Sequence, residues 1–395
     1  MNASDRNRQL LHRIENNDTM LTMLKIGSYS LDSWFPPSSS AEFARLGTAI
    51  ATNDRLSLLA ISNVSDWHVV PREFFDGLRR NTSIHNLDLY CSGDDYNIGS
   101  GVLYEILMAC QENNNQLWRL LIRYAHLENG GHQTLINTLR SCTQLKSLTL
   151  QFSNMTGQQL LPMVDAIRGN TSLLRSLEKL DVLHNRIGNE GCQALATLLT
   201  DPNTRLNILN LTNNGIGNEG VIAITNSLAN NTMLKELNLD NNTFDTTVAQ
   251  IAFISILCST SSMKDTHSSN HTLDNIYLGH VNPGQQFTWL LQMNKGINKS
   301  QVAIKKILFY HPNIDMKPLF KLDGGEEDNL KALPYVIGWF ERSKEAAPNS
   351  ETWRHTIEQR KLSAIFDFAL AMPLLFVPAS HIKGVDKKRK RNVGD

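Results

Sequence analysis

The chain has 395 residues, and 41% of them are apolar, which is enough to fill a large core. Its 38 basic and 38 acidic residues cancel, so no net charge attracts it to nucleic acid or to a membrane surface. The five cysteines are an odd, scattered set without a Cys-x-x-Cys pair: Cys91, Cys110, Cys142, Cys192 and Cys258. This usage favours free thiols in a reducing compartment over a disulfide framework.

Two helices are predicted near the N-terminus. Residues 3–15 carry apolar residues on one helical face, which indicates an amphipathic helix. A second helix is predicted to run through Ile50, because Ser39 and Glu42 have the spacing of a capping box.

One spacing of apolar residues recurs in the centre of the chain, at intervals of 29 and 28 residues. Three copies begin at Leu177, Leu206 and Leu234, each with apolar residues at the first, fourth and sixth places and an Asn at the ninth. Alternate residues of a strand point to one side, so the apolar places predict an inner face and the places between them an outer face. The Asn side chain has the donors and the acceptor to bind backbone groups where the chain leaves the strand.

The same frame fits weaker segments on both sides of the centre. It predicts about ten repeats, which begin at Leu21, Leu56, Ile84, Leu117, Leu145, Leu177, Leu206, Leu234, Leu273 and Ile304. Helical runs such as 191–199 follow the strands, with apolar residues at i, i+3 and i+4. The Ser/Thr-rich segment 258–270 lengthens one repeat, and we predict a loop there that leaves the strand stack intact.

Features of the chain that bear on its location agree with an intracellular protein. Asn-x-Ser/Thr sequences at Asn81, Asn170 and Asn270 fall at the step from helix to strand, where we interpret them as turn and cap residues rather than as glycosylation sites. Residues 1–17 are polar and hold no apolar core for a signal peptide. The longest apolar run, 364–377, is too short to cross a bilayer. We expect a cytoplasmic or nuclear location.

Residues 215–220 fit Gly-x-Gly-x-x-Gly, the pattern of dinucleotide-binding loops. Residues 186–191 in the preceding repeat have the same sequence with Arg in place of the first Gly, so we attribute the pattern to the repeat itself. The usual sequence patterns of phosphate loops, zincins and nucleophile elbows are absent, and the 12 histidines show no metal-ligand spacing. The sequence therefore predicts no catalytic residues, no cofactor and no metal.

The repeat frame is lost after residue 313. We predict a solenoid over 1–314 with the N-terminal helix, a helical capping region over 315–380 and a basic disordered tail over 381–395. A cap is expected because an open stack of repeats ends in a bare apolar face. The basic run 387–391 leaves two alternatives open, a nuclear-import signal or nucleic-acid contact and a merely solvated tail.

The pattern Leu-x-x-Leu-x-Leu-x-x-Asn-x-Ile-Gly at 206–217 and its copies resemble a leucine-rich repeat. The alternation of 28 and 29 residues resembles the ribonuclease-inhibitor-like subfamily. This resemblance implies an α/β solenoid, a curved horseshoe with parallel strands on the concave face and helices on the convex face. It also implies protein binding as the usual role.

We therefore expect a non-catalytic scaffold that binds a protein partner through the concave face. Neither a small-molecule substrate nor a membrane is expected, and nucleic acid only at the basic tail. Outward residues of the strands line that face, and tyrosine and arginine are over-represented at interface cores. The predicted protein-binding residues are Tyr90, Arg119, Arg123, Tyr124, Phe152, Lys179, Asp181, Glu236, Asp240, Tyr277 and Tyr310.

An enzyme-regulating alternative follows from the same resemblance. Repeats of this subfamily also occur in activating proteins for the Ran GTPase, in which an arginine on a repeat loop matters. Arg79, Arg80 or Arg186 would be the candidates here. Those proteins typically end in a long acidic tail, whereas this chain ends in a basic one.

Overall fold

The computed structural model describes residues 3–27, 33–34, 39–62, 70–90, 100–112, 117–125, 131–279 and 284–311, and the single positions 355, 358, 359 and 362. The predicted cap at 315–380 lies outside the described residues apart from those four positions, and so does the whole tail at 381–395. The chain divides into two units. The first comprises 1–259 and 268–295, and the second comprises 260–267 and 296–395.

The first unit is built on one parallel sheet. Its strands are β1 (Met23–Ile26), β2 (Ser33–Trp34), β3 (Leu58–Ser62), β4 (Asn86–Tyr90), β5 (Arg119–Arg123), β6 (Ser147–Gln151), β7 (Lys179–Asp181), β8 (Ile208–Asn210), β9 (Glu236–Asn238) and β10 (Asn275–Tyr277). Neighbours in the sheet are neighbours in the chain from β3 to β10, while β1 lies between β2 and β3. At every predicted repeat except the last, a strand begins two residues after the first apolar place. The repeat architecture predicted from the sequence is confirmed there.

Helices follow the strands along the chain, and within the first unit most of them pack on the helix of a neighbouring repeat. They are α1 (Ala3–Glu15), α2 (Ser40–Thr52), α3 (Arg72–Arg80), α4 (Ser100–Glu112), α5 (Gly131–Ser141), α6 (Gly157–Gly169), α7 (Thr171–Ser176), α8 (Gly188–Leu199), α9 (Asn218–Leu228), α10 (Thr246–Leu257), α11 (Met263–Ser268), α12 (Gln285–Asn294) and α13 (Lys299–Tyr310). The capping box of Ser39 and Glu42 is present at the start of α2, as predicted.

The core of the first unit lies between the sheet and the helices. Inner strand residues such as Leu180, Leu209 and Leu237 are completely or almost completely buried. One repeat cannot bury its apolar side alone, so this core forms only where repeats stack.

The helices α2 and α3 approach each other through two glycines. A Cβ atom on Gly77 would overlap the backbone oxygen of Gly47, and one on Gly47 would lie 2.5 Å from the oxygen of Glu73. Only a residue without a side chain permits this spacing, so the two glycines fix the distance between the first repeats.

Buried asparagines join several helix-to-strand steps to the preceding repeat. The side-chain amide of Asn81 donates to the carbonyls of Ile50 and Asn53, and that of Asn270 to those of Leu228 and Asn231. Their oxygens accept backbone N–H groups two and three residues ahead. These bonds confirm the interpretation of Asn81 and Asn270 as turn residues.

The prediction of a strand from Ile304 is wrong, because Lys299–Tyr310 is the helix α13 of the second unit. The buried residues Val302, Ala303 and Lys306 are spaced as on one face of a helix, not in the alternation of a strand. Tyr310, predicted on the concave face, therefore lies on a helix.

The Ser/Thr-rich segment 258–270 contains the short helix α11, so it is not only a loop. The strands on either side of it, β9 and β10, still pair in parallel, which confirms that the insertion leaves the stack intact. Within the second unit, the Thr266 hydroxyl lies 2.7 Å from Nε2 of His311.

Candidate functional site

The outward side chains of the strands form one continuous surface of the first unit, which we call the strand face. Parallel pairing aligns equivalent residues of successive repeats in rows. The central row runs through Asp88, Leu121, Thr149 and Asp181. These four residues are only 5–6% exposed. Asp181, predicted as a binding residue, is therefore buried although it points away from the core.

Successive repeats share a second feature, which lies at the residue place just after the strand. The residue at this place has a positive φ in five successive repeats: Tyr124 (59°), Phe152 (55°), His184 (56°), Asn213 (53°) and Asn241 (56°). The N–H groups of Tyr124, Phe152 and His184 donate to the carbonyl that precedes the equivalent residue of the next repeat, at 2.9–3.2 Å. The backbone ladder therefore continues one place beyond the strands and holds these residues in register.

Three of these residues place aromatic rings in a stack, which we call the aromatic column. The rings of Tyr124 and Phe152 have centroids 4.7 Å apart, and those of Phe152 and His184 are 4.4 Å apart, with interplanar angles of 21° and 16°. These separations are close to the spacing of about 4.8 Å between strands, so the backbone itself sets the stacking distance. Tyr124 is 40% exposed and His184 is also exposed, so the column is open to solvent.

The backbone does not require rings in the column. A left-handed conformation is unfavourable for a bulky L-residue by roughly 1–2 kcal/mol, whereas Asn and Gly adopt it readily. The next two repeats use Asn213 and Asn241 at the same place. Strained residues that the fold does not demand tend to cluster at functional sites.

A ladder of asparagines supports the turn beneath the column. The Asn185 amide donates to the carbonyls of Leu150 and Val182 at 2.8 Å, and its oxygen accepts the N–H groups of Ser153 and Met155 at 3.1 Å. Since Ser153 directly follows Phe152, Asn185 fixes the turn that presents the Phe152 ring.

Beside the column, β4 and β5 bring two arginines to one buried carboxylate, a group that we call the arginine cluster (Tyr90, Asp88, Arg119 and Arg123). Nη2 of Arg119 lies 3.1 Å from Oδ2 of Asp88. The guanidinium carbon of Arg123 lies 5.8 Å from the centroid of the Tyr90 ring. Oδ1 of Asp88 and Nε of Arg123 are buried and have no hydrogen-bond partner among the described residues.

Burial raises the pKa of the Asp88 carboxyl, and the charges of Arg119 and Arg123 oppose that rise. The net direction shows that desolvation outweighs the two cations. Ionisation of Asp88 is therefore less favourable in the folded protein than in water.

The other predicted residues lie on two parts of the sheet. On β7, Nζ of Lys179 is 3.9 Å from Oδ2 of Asp181, which also accepts a hydrogen bond from Gln151 at 2.9 Å. Glu236, Asp240 and Tyr277 belong to the repeats of β9 and β10 and are partly or largely exposed. The strand β8 separates the two groups, so the predicted residues do not form a single cluster.

Two exposed aromatic features were missed as binding residues from the sequence. His184 extends the aromatic column, and its ring is in hydrogen-bond contact with the side chain of Asn213. At the other end of the strands, the ring of Trp118 stacks on that of His85 with centroids 4.4 Å apart. A signal for His184 was present, since it occupies the same repeat place as Tyr124 and Phe152.

Several residues that suggested cofactor or GTPase chemistry in the sequence make other hydrogen bonds and ion pairs in the structure. The N–H groups of Gly217 and Gly220 donate to Oδ1 of Asn189 at 2.8 and 3.1 Å, so they do not face a pyrophosphate. Arg79 is bound by the carboxylates of Asp76 and Glu105, at 2.5 and 3.0 Å. The GTPase alternative then depends on Arg80 or on Arg186, which is exposed on the turn after β7.

The described residues contain no group of three His, Cys, Asp or Glu side chains arranged to hold a metal ion. None of the helices in the described part of the chain is both long and apolar enough to span a membrane.

Comparison with known proteins supports the class of repeat. A sequence profile described as "Leucine Rich repeat" matches residues 174–196 and 203–224. One solved structure similar to this chain is that of "Leiomodin-1 Actin-Binding Site 2 (ABS2)", at 20% identity over 41% of this chain and 87% of the other, with a TM-score of 0.34. No curated protein matches the chain.

The fold is an α/β leucine-rich-repeat solenoid, in which a parallel sheet alternates with helices and gains one strand per repeat. Domains of this kind generally mediate protein–protein interaction and are typically non-catalytic.

Proposed function

We propose that this protein is a non-catalytic scaffold that binds a protein partner through its strand face, at β4 to β7. The aromatic column carries the proposal. Tyr124 and Phe152 occupy a backbone conformation that bulky residues disfavour, at a place where the two repeats after His184 use Asn.

The chemistry of this surface suits a protein partner better than a small molecule. Stacked rings in register with a rigid sheet offer a large contact area that loses little side-chain entropy on binding. Tyr, Trp and Arg are the residues that most often dominate binding energy at interfaces, and β4 to β7 present Tyr90, Arg123 and Tyr124 together. We also propose that the repeats belong to the ribonuclease-inhibitor-like subfamily.

The column can be tested without unfolding the protein. In the triple variant Tyr124→Asn, Phe152→Asn, His184→Asn, relief of left-handed strain offsets the loss of two ring stacks, each of which stabilises by about 0.5–1.5 kcal/mol. We therefore expect unfolding midpoints close to the wild type. Proteins retained from a cell lysate by the immobilised wild-type chain should be lost from this variant, with affinity for a purified partner reduced at least roughly 30-fold.

The matched control lies on the helix side. Gln193 and Thr197 are exposed on α8, so the double variant Gln193→Ala, Thr197→Ala should retain the same partners as the wild type. If the triple Asn variant folds and still binds a purified partner with wild-type affinity, the column is not the binding surface. Loss of binding in the helix-side variant alone would move the interface to the helices.

A further inference from the structure

Buried and exposed charges are distributed unequally over β4 to β7. The carboxylates of Asp88 and Asp181 are almost fully buried, whereas the side chains of their partners Arg119 and Lys179 are 40% and 41% exposed. Arg123 adds a third cation without a carboxylate of its own. Solvent and any partner therefore meet mainly positive charge on this part of the strand face.

The arginine cluster is also incomplete in its hydrogen bonding. Arg119 and Arg123 project from β5 on either side of Leu121, the residue that pairs with Asp88. That one carboxylate pairs with Arg119, while the Arg123 guanidinium lies near the Tyr90 ring and finds no hydrogen-bond acceptor among the described residues. A guanidinium has five donors, arranged to hold a carboxylate with two parallel bonds.

The aromatic column adjoins this cluster, because Tyr124 directly follows Arg123. The faces of the column rings are largely taken up by their stacking, which leaves ring edges toward solvent. Ring edges carry the positive part of the aromatic quadrupole, so they also favour an electron-rich group while offering apolar area.

The neighbouring part of the sheet limits the extent of this surface. Beyond β8, the outward side chains include Glu236 and Asp240, which carry negative charge. Like charges placed opposite each other are unfavourable, so an acidic ligand would be confined to β4–β7.

We infer that the partner docks an acidic segment on β4–β7, with its carboxylates on Arg119 and Arg123 and its apolar side chains against the aromatic column. This inference rests on the proposed function and adds the chemistry of the partner. Lys179 contributes general attraction, since it stands in the same row as Arg119 with Ser147 between them.

A library of random linear peptides displayed on phage, selected on the full chain, tests the inference. Peptides selected on the wild type should be rich in Asp and Glu and contain apolar or aromatic residues. Synthetic copies with Asn and Gln in place of Asp and Glu should bind at least about tenfold more weakly, and binding should weaken as salt rises from roughly 0.05 to 0.5 M.

Two variants connect the peptides to the residues. Arg123→Gln removes a cation that no described carboxylate pairs with, so the fold should persist while affinity for acidic peptides falls at least about tenfold. Arg123→Lys keeps the charge without the planar fork, and should restore part of that affinity. The helix-side variant Gln193→Ala, Thr197→Ala is the control and should bind like the wild type.

The outcomes separate this inference from the proposed function. Selected peptides that are neutral or basic, or that bind Arg123→Gln as well as the wild type, overturn the acidic segment. If those peptides are still lost from the triple Asn variant of the column, the proposed function stands. A selection that yields no peptide at all also overturns docking of a linear acidic segment.

Discussion

The asparagine ladder beneath the aromatic column permits a sharp test of what stabilises the repeats. Asn185 and Asn242 each make five hydrogen bonds, three from the amide to carbonyls and two from backbone N–H groups to the side-chain oxygen. Asn214, at the same place in the repeat between them, makes the two amide bonds, while its buried oxygen has no partner among the described residues.

The number of lost hydrogen bonds sets the expected magnitude. At about 1 kcal/mol for each, replacement by Ala should lower the free energy of unfolding by about 5 kcal/mol at Asn185 and Asn242. At Asn214 it should lower it by about 2 kcal/mol, because fewer backbone groups lose their partners. Burial alone predicts the opposite order, since Asn214 is 1% exposed and Asn185 is 7% exposed.

Urea unfolding of the full chain, followed by far-ultraviolet circular dichroism and by tryptophan fluorescence, measures these differences. The slope with urea should be compared among variants, because partial unfolding of a repeat array would change it. A larger loss at Asn214 than at Asn185 would refute the hydrogen-bond account. We also expect Asn185→Ala to weaken partner binding, since it frees the turn that follows Phe152.

Three further predictions concern packing, charge and thiols. Gly77→Ala should lower the melting temperature, because the new Cβ pushes α2 away from α3 at a cost of about 1–3 kcal/mol. The control Gly169→Ala has no atom within 4 Å of the new Cβ, so it should be neutral or stabilising. Equal melting temperatures of the two variants would contradict the close approach of the glycines. Asp88→Asn should stabilise the protein at neutral pH, because the pKa of Asp88 is raised in the folded state and its ionised form is disfavoured. The gain in free energy of unfolding should fade as pH falls through that raised pKa. A gain that instead grows toward low pH in urea titrations would contradict the direction of the pKa shift. Cys142, Cys192 and Cys258 should stay unmodified by iodoacetamide in the folded chain, because all three are buried and burial raises the pKa of Cys192 to about 12. If mass spectrometry finds these cysteines alkylated before the chain unfolds, the core packing is contradicted.

The repeats were predictable because their signal is apolar and periodic. Leu177, Leu206 and Leu234 mark strands whose inner residues are buried, and even Leu21 and Leu273 located strands with weak motifs. The prediction of a strand from Ile304 failed because a short run of apolar residues can fit both the alternation of a strand and the spacing of a helix. The segment forms a helix, in which Val302, Ala303 and Lys306 are buried on one face.

The candidate site was predictable in its residues but not in its geometry. The repeat frame put Arg119, Arg123, Tyr124 and Phe152 on neighbouring strands. It gave no sign that the central row would be buried, since that depends on the size of side chains in the adjoining rows. The left-handed backbone at Phe152 was also hidden, because sequence rules expect Asn or Gly in that conformation.

The left-handed place after each strand has a consequence for how such a protein can change its specificity. From Tyr124 to Asn241, backbones of closely similar conformation carry a phenol, a phenyl, an imidazole and two carboxamides. Side chains at this place can therefore be exchanged without redesign of the strand, the turn or the helix that follows. Grafting Tyr, Phe or His onto Asn213 and Asn241 would lengthen the stack toward β9, and this is the direction in which a new ligand-binding range could be engineered.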